Sequence, residues 1–246
     1  MTPIVVIPAR LASTRLPGKP LARIGDAPMI VQVWRRAVAA DVGPVAVACA
    51  EREIAAAIEA EGGRAILTRP DHPSGSDRVF EALGALDPAG HHDVVVNLQG
   101  DLPLIDPKAI RAALVPLADP AVDIATLAAP IRDPREIDEA SVVKIAAAFP
   151  PGAGVARALY FSRLPVPWGE GDRYHHIGIY AYRRAALARF VGLPPAALEL
   201  RERLEQLRAL EAGMHIAVAL VDTVPLGVDT PDDLARARAL FVSATP

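Results

Sequence analysis

Short apolar, β-rich runs alternate with segments of helical period over the first half of this chain, and that alternation constrains the fold more than any other feature. Ile4 to Ile7, Val45 to Cys49, Ala65 to Thr68, Val94 to Leu98 and Ile124 to Ala128 read as strands. Pro28 to Ala40, Glu51 to Glu61, Ser76 to Leu86 and Pro107 to Leu117 read as helices. Repeated strand, helix, strand order is the pattern of βαβ units, because parallel neighbours need a crossover to return to the same edge. The expected class is α/β, with a mostly parallel central sheet and flanking helices. Asp106 before Pro107 suits a helix start, since the carboxylate can cap free N–H groups and proline's φ fits the first turn. Thr230, Pro231, Asp232 and Asp233 repeat that logic near the C-terminus.

The middle of the chain has a different rhythm. Val142 to Ala147, Arg157 to Phe161 and Ile177 to Tyr182 read as strands with loops between them, which predicts an antiparallel excursion at residues 130–190 within one domain spanning 1–246. Leu200, Leu204, Leu207 and Leu210 then recur at helical spacing, predicting a helix from Ala197 to Ala212 that stops at Gly213.

Composition removes several function classes. Apolar residues make up 52% of the chain but come in short runs, none near the roughly 20 needed to cross a bilayer, so no membrane insertion is expected. The N-terminal run carries no secretory pattern, and a cytoplasmic protein is expected. Cys49 is the single cysteine, which excludes internal disulfides and argues against cysteine-rich zinc sites. A net charge of −3 with 4% aromatic residues leaves no basic, stacking surface for nucleic acid. The cations are concentrated locally, which points to a small-molecule partner.

That concentration is the stretch RLASTRLPGK, Arg10 to Lys19, directly after the strand IVVIP. Arg10, Arg15 and Lys19 can each give charge-assisted hydrogen bonds to phosphate, and a loop leaving a strand's carboxyl end sits where open α/β sheets bind ligands. GxxxxGK[ST] is absent, so side chains rather than a glycine nest would do the binding. Asp101, just past the strand Val94 to Leu98, can anchor Mg2+, which takes one or two carboxylates plus phosphate oxygens and water. Read alone, the loop could be a solvated basic loop, and Asp101 could equally be a turn-stabilising residue. Asp229, in GVDTPDDL, could be a second carboxylate or part of a helix start. His72, His91 and His92 read as surface loop residues. His176 and Tyr180 share a strand face, where imidazole and phenol could meet a polyhydroxy sugar.

Taken together, VVIPARLASTRLPGKPL, DHPSGSDR, VVNLQGDLPLI, ALYFSRLPVPW, HHIGIYAYR, LEQLRALE and GVDTPDDL resemble the 3-deoxy-manno-octulosonate (Kdo) cytidylyltransferases, in order and over nearly the whole chain. The resemblance implies a nucleotide-diphospho-sugar transferase type of fold and a homodimer. It also implies CMP transfer from CTP to Kdo, giving CMP-Kdo and pyrophosphate for lipopolysaccharide biosynthesis. Residue by residue, it assigns Arg10, Ser13, Arg15 and Lys19 to the triphosphate. Pro8, Ala9 and Arg10 with Ser74, Ser76 and Arg78 fall to the cytidine, and Asp101 and Asp229 to Mg2+. Gln99, Arg163, His176, Tyr180, Glu205 and Gln206 fall to the sugar acid, with the excursion serving sugar binding and dimerisation. Four departures stand out: Leu102 where the family commonly has an acid, CAE at Cys49 to Glu51 for TDD, ASVVK for PNVVK, and PVPWGEG without its usual basic-acidic pair. Two alternatives remain at this point. One is a same-fold cytidylyltransferase acting on an amino-Kdo, a sialic acid or a methylerythritol phosphate, and the other is a catalytically silent nucleotide-binding regulator.

Overall fold

In the computed structural model, which describes residues 1–13 and 15–244 and so leaves out Thr14 of the basic loop, the chain divides into two units. The first comprises residues 1–110 and 225–246, and the second residues 111–224.

The first unit begins with β1 (Pro3–Ala9), a short hairpin of β2 (Arg23–Ile24) and β3 (Ala27–Pro28), and α1 (Met29–Ala40). It continues through β4 (Val45–Cys49), α2 (Arg52–Glu59), β5 (Arg64–Leu67), α3 (Gly75–Leu86) and β6 (Val94–Asn97). β1 pairs in parallel with β4 on one side and β6 on the other, and β4 with β5. Helices cover such a sheet on both faces, so its central strands read as continuous apolar runs: Val5, Val6 and Ile7 are fully buried. Parallel pairing also places the carboxyl ends of β1 and β6 side by side, and from those ends depart the basic loop and the Gln99 to Asp101 turn.

Helix starts follow the side-chain chemistry. Ser74 accepts from the Asp77 amide (3.2 Å) to cap α3, and Asp106 Oδ1 accepts from the Lys108 amide (2.8 Å) at α4 (Pro107–Ala112). The helix expected to reach Leu117 ends earlier and resumes as a 3-10 turn over Val115–Ala118. Pro116, lacking an N–H and crowding the preceding turn, accounts for the break.

The second unit contains β7 (Ile124–Pro130), α5 (Arg135–Asp138), β8 (Lys144–Ala147), β9 (Val155–Ser162) and β10 (Tyr174–Arg183). After these come α6 (Arg184–Val191), α7 (Ala197–Glu202), α8 (Gln206–Glu211) and β11 (Ile216–Leu220). The strands pair in a ring, β10 to β7, β7 to β11, β11 to β9, β9 to β8 and β8 back to β10, all antiparallel except β7 with β11. Closing the ring covers strand edges that would otherwise be open to another chain. β11 and α6 carried no clear sequence signal: two of the five residues of IAVAL are alanine, a weak strand former.

The helix expected from Ala197 to Ala212 is two helices. Arg203 adopts a left-handed conformation (φ 56°) between them. The carbonyls at the break are taken by Arg163, whose Nε donates to Glu202 O (2.9 Å) and Nη2 to Arg203 O (3.4 Å). The Glu202 carboxylate in turn accepts from Ser162 Oγ and the Arg163 amide. Leu204 and Leu207 are buried as the stripe predicts, but Leu200, on α7, is 66% exposed.

The terminal helix α9 (Pro231–Ala244) belongs to the first unit. Thr230 and Asp233 cap it reciprocally: the Asp233 amide donates to Thr230 Oγ1, and Thr230 N–H and Oγ1 donate to Asp233 Oδ2. Leu234 and Ala237 join Ile24, Met29 and Val228 in one apolar cluster, with Leu16 and Phe241 packed against it. Gly25 (φ +63°) lies under Phe241, where a Cβ would stand 2.1 Å from the ring. C-terminal helix, N-terminal hairpin and basic loop thus share one core.

Candidate active site

This packing decides where the charges meet. The Val228 amide donates to Asp101 O (2.9 Å), fastening the segment before α9 to the turn after β6. Asp101 and Asp229, 128 positions apart in sequence, consequently face one cation: Lys19 Nζ lies 2.9 Å from Asp101 Oδ2 and 2.9 Å from Asp229 Oδ1. Arg15 Nη2 stands 3.1 Å from Asp229 Oδ2. Burial pulls the Lys19 pKa down, but the two carboxylates outweigh it and hold the ammonium above its usual value. Gly100 permits the approach of the β6 turn to β1, since a Cβ there would lie 2.9 Å from Pro8 O and 3.3 Å from Ile30 Cδ1.

Beside this cluster opens a cleft of about 420 Å³ within the first unit. Pro8, Ala9, Arg10, Ser13, Arg15 and Lys19 line one side, Ser74, Gly75 and Arg78 another, and Gln99 and Asp101 a third. Ser76 does not line it: the residue is 2% exposed and accepts from Asn97 Nδ2 at 3.4 Å. Arg78 is 3% exposed, and its guanidinium serves the cleft wall, donating to Thr68 Oγ1 (2.6 Å), Arg69 O (3.1 Å) and Pro70 O (3.3 Å). His72, expected at the surface, is buried and lines the cleft, its Nε2 against the Glu81 carboxylate. The Asp-Pro-rich context of the motif DHPS read as an exposed loop, and the bracing carboxylate lies nine residues away on α3, out of reach of local pattern.

In the second unit, the His176 and Tyr180 rings lie 5.6 Å apart, on one face as the alternation predicts. A register shift between Ile177 and Tyr180 inserts two residues, an even number, so the alternation survives it. Thr126 Oγ1 donates its one proton to an Ile177 or Ile179 carbonyl, so His176 Nε2, 2.9 Å away, is the donor toward it. Burial, then the neighbouring His175, pushes the His176 pKa down to about 3. Tyr180 is pushed well above its usual value, by burial first and then by Tyr182 and Glu205. Gln206 is buried at the start of α8, with Glu205 just before it. Arg163 spends donors on Ala140 O (3.0 Å) as well as on the carbonyls at the α7 break, so its guanidinium chiefly holds backbone.

A family model described as cytidylyltransferase matches residues 4–216. A 3-deoxy-manno-octulosonate cytidylyltransferase of Methylobacterium radiotolerans is 65% identical over 239 residues, 97% of this chain and 96% of its own. Another, of Rhodospirillum centenum, is 66% identical over 239 residues, covering 97% and 93%. This chain belongs to the 3-deoxy-manno-octulosonate cytidylyltransferase family. A solved CMP:2-keto-3-deoxy-manno-octonic acid synthetase, in complex with CTP, matches it with a TM-score of 0.91 and 40% identity over 99% of both chains.

Two of the departures from this family's usual residues acquire a physical setting. Leu102 is 8% exposed, its side chain at van der Waals distance from the Gly227 position. Cys49 is fully buried at the end of β4, where burial and then Glu51 push its thiol up to about 11, so it is an inert core residue and not a nucleophile.

Proposed function

We propose that this chain transfers CMP from CTP to the anomeric hydroxyl of Kdo, giving CMP-Kdo and pyrophosphate for lipopolysaccharide biosynthesis. The convergence of Lys19, Asp101 and Asp229 at 2.9 Å contacts carries the reading, because it unites a phosphate-binding cation with two carboxylates. The close relatives bear the name of this activity, and the solved synthetase holds CTP.

The donor set suits magnesium. Asp101 and Asp229 present hard carboxylate oxygens around one cationic centre, and two carboxylates leave room for the phosphate oxygens and water that Mg2+ prefers. Bound there, magnesium would offset phosphate charge and acidify an attached hydroxyl. Lys19 and Arg15 exchange carboxylate for phosphate as hydrogen-bond partners when CTP arrives, and neutralise charge that grows as the pyrophosphate leaves. Arg10 and Ser13 orient the triphosphate, and Pro8, Ala9, Ser74 and Arg78 hold the cytidine end. The resemblance gives Gln99 of the first unit, and His176, Tyr180, Glu205 and Gln206 of the second, to the sugar acid; His176, neutral at physiological pH, already gives its Nε2 proton to Thr126, so it offers only the Nδ1 lone pair and no charge that would bind the carboxylate. Reactant positioning supplies much of the rate in such a transfer, and no covalent intermediate is required.

We take the working form to be a cytoplasmic homodimer. Leu159, Leu164 and Trp168 of the second unit are 61%, 70% and 99% exposed, apolar surface suited to a second copy. Among the described residues no helix is long and apolar enough to cross a membrane. The deciding experiment is a coupled pyrophosphate assay with CTP, Mg2+ and Kdo, repeated with UTP, ATP, a sialic acid and an amino-Kdo. Release with CTP and Kdo is expected; release only with another acceptor, or CTP binding without product, would replace this reading.

A further inference from the structure

His72 sits in the loop between β5 and α3, its side chain 4% exposed, and lines the cleft beside Ser74 and Arg78. Its Nε2 lies 2.5 Å from Glu81 Oε2. Glu81 also accepts from the Arg69 amide (3.0 Å) and Arg69 Nε (3.2 Å). Burial pushes the Glu81 carboxyl up, but these donors outweigh it and hold the group below its usual value, so it is ionised and can only accept. Nε2 must therefore carry a proton, and a ring holding that one proton presents a lone pair at Nδ1. Nδ1 is buried and has no hydrogen-bond partner within the protein. Buried polar atoms are ordinarily satisfied, and an unsatisfied one lining a ligand cleft points to the ligand.

The wall that carries the ring is braced from α3. Arg78 holds the backbone of Arg69 and Pro70, and Glu81, one turn further along, holds the Arg69 amide and the imidazole. Two charged residues of one helix face thus fix both the position and the tautomer of His72.

We propose that His72 selects the nucleotide base, its Nδ1 accepting a hydrogen bond from the 4-amino group of cytosine. The 4-oxo group of uracil presents lone pairs alone and meets that nitrogen acceptor to acceptor. Glu81 is the positioning residue that makes the ring an acceptor. The inference rests on the nucleotide reading above and adds to it the atom that tells CTP from UTP.

The test is calorimetric binding of CTP and of UTP, each with Mg2+, to wild-type protein and to His72→Phe, His72→Asn and Glu81→Gln. Wild type should prefer CTP, and His72→Phe should reduce the CTP-to-UTP ratio by about ten- to a hundredfold with UTP affinity little changed. His72→Asn, which offers an amide oxygen near the Nδ1 position, should keep most of the preference. Glu81→Gln can donate to Nε2 and so place the proton on Nδ1, which should shrink the ratio without removing the ring. A merely structural role would weaken both nucleotides together and leave their ratio alone. Equal binding of CTP and UTP by wild type, or an unchanged ratio in His72→Phe, overturns the inference; should His72→Phe fail to fold, an unchanged ratio in Glu81→Gln does so. Pyrophosphate release from CTP and Kdo is scored separately and bears on the catalytic reading alone.

Discussion

Replacing Lys19 with methionine removes the ammonium that lies 2.9 Å from each of two carboxylates while keeping most of the aliphatic stem. Lys19 has a side chain 16% exposed, against 29% for Asp101 and 44% for Asp229, so the contacts are partly screened. Allowing about 1–2 kcal/mol for each charge-assisted hydrogen bond after screening, a divalent ion that takes over the carboxylates must displace about 2–4 kcal/mol of interaction in the wild type. None of that competes in Lys19→Met, where two carboxylates face each other with Arg15 as the remaining cation near Asp229. Magnesium should therefore bind the nucleotide-free variant tighter by about thirtyfold to several hundredfold, at about 1.4 kcal/mol per factor of ten. Metal-free, the variant should lose about 1–3 kcal/mol of stability, recovered on adding magnesium. Turnover should nevertheless collapse, mainly in kcat, because the charge that meets the reacting phosphate is gone. Titration calorimetry and thermal melts with and without Mg2+ read these effects apart. Unchanged or weaker magnesium binding in Lys19→Met would refute the idea that the ammonium holds the metal's place.

Asp101→Asn should lower turnover by about a hundredfold or more and leave the melting curve cooperative; near-normal Mg2+-dependent activity would remove Asp101 from the metal site. Gly100→Ala should cost about 1–3 kcal/mol in a urea titration, since the new methyl meets the Pro8 carbonyl at 2.9 Å, and an unperturbed variant would mean the β6 turn is less tightly seated. His176 stays neutral when folded down to a pKa of about 3, whereas an unfolded imidazole protonates near its ordinary value of 6.5. The unfolded state thus binds more protons between those values, so stability should fall by up to about 1.4 kcal/mol per pH unit as pH drops through that window, with no contribution above it. His176→Asn should flatten that part of a stability-versus-pH curve, and an NMR titration showing the ring protonating near 6.5 would contradict the assignment.

Most strands could be seen in the amino-acid order because β1, β4 and β6 are buried on both faces and so are dominated by aliphatic residues. Features governed by long-range contacts were hidden. The break between α7 and α8 depends on Arg163, 40 positions before Arg203, taking carbonyls the helix would have used, and leucine periodicity continues across it regardless. The charged part of the site was legible because Arg15, Lys19, Asp101 and Asp229 lie in the loops that follow β1 and β6 or lead into α9, positions that topology delivers to one edge. The buried His72 and the brace of Arg78 and Glu81 were not: in a linear reading they are an imidazole in a proline-rich turn and two polar residues of an amphipathic helix.

The return of α9 to the N-terminal hairpin has a consequence for biosynthesis. Asp229 must leave the ribosome before it can meet Lys19, so a nascent chain carrying the complete β1-to-β6 sheet still lacks one of the two carboxylates. If the proposed site holds, metal and nucleotide would reward only chains extended past Asp229, and terminations upstream of α9 should yield polypeptides that neither ligand rescues.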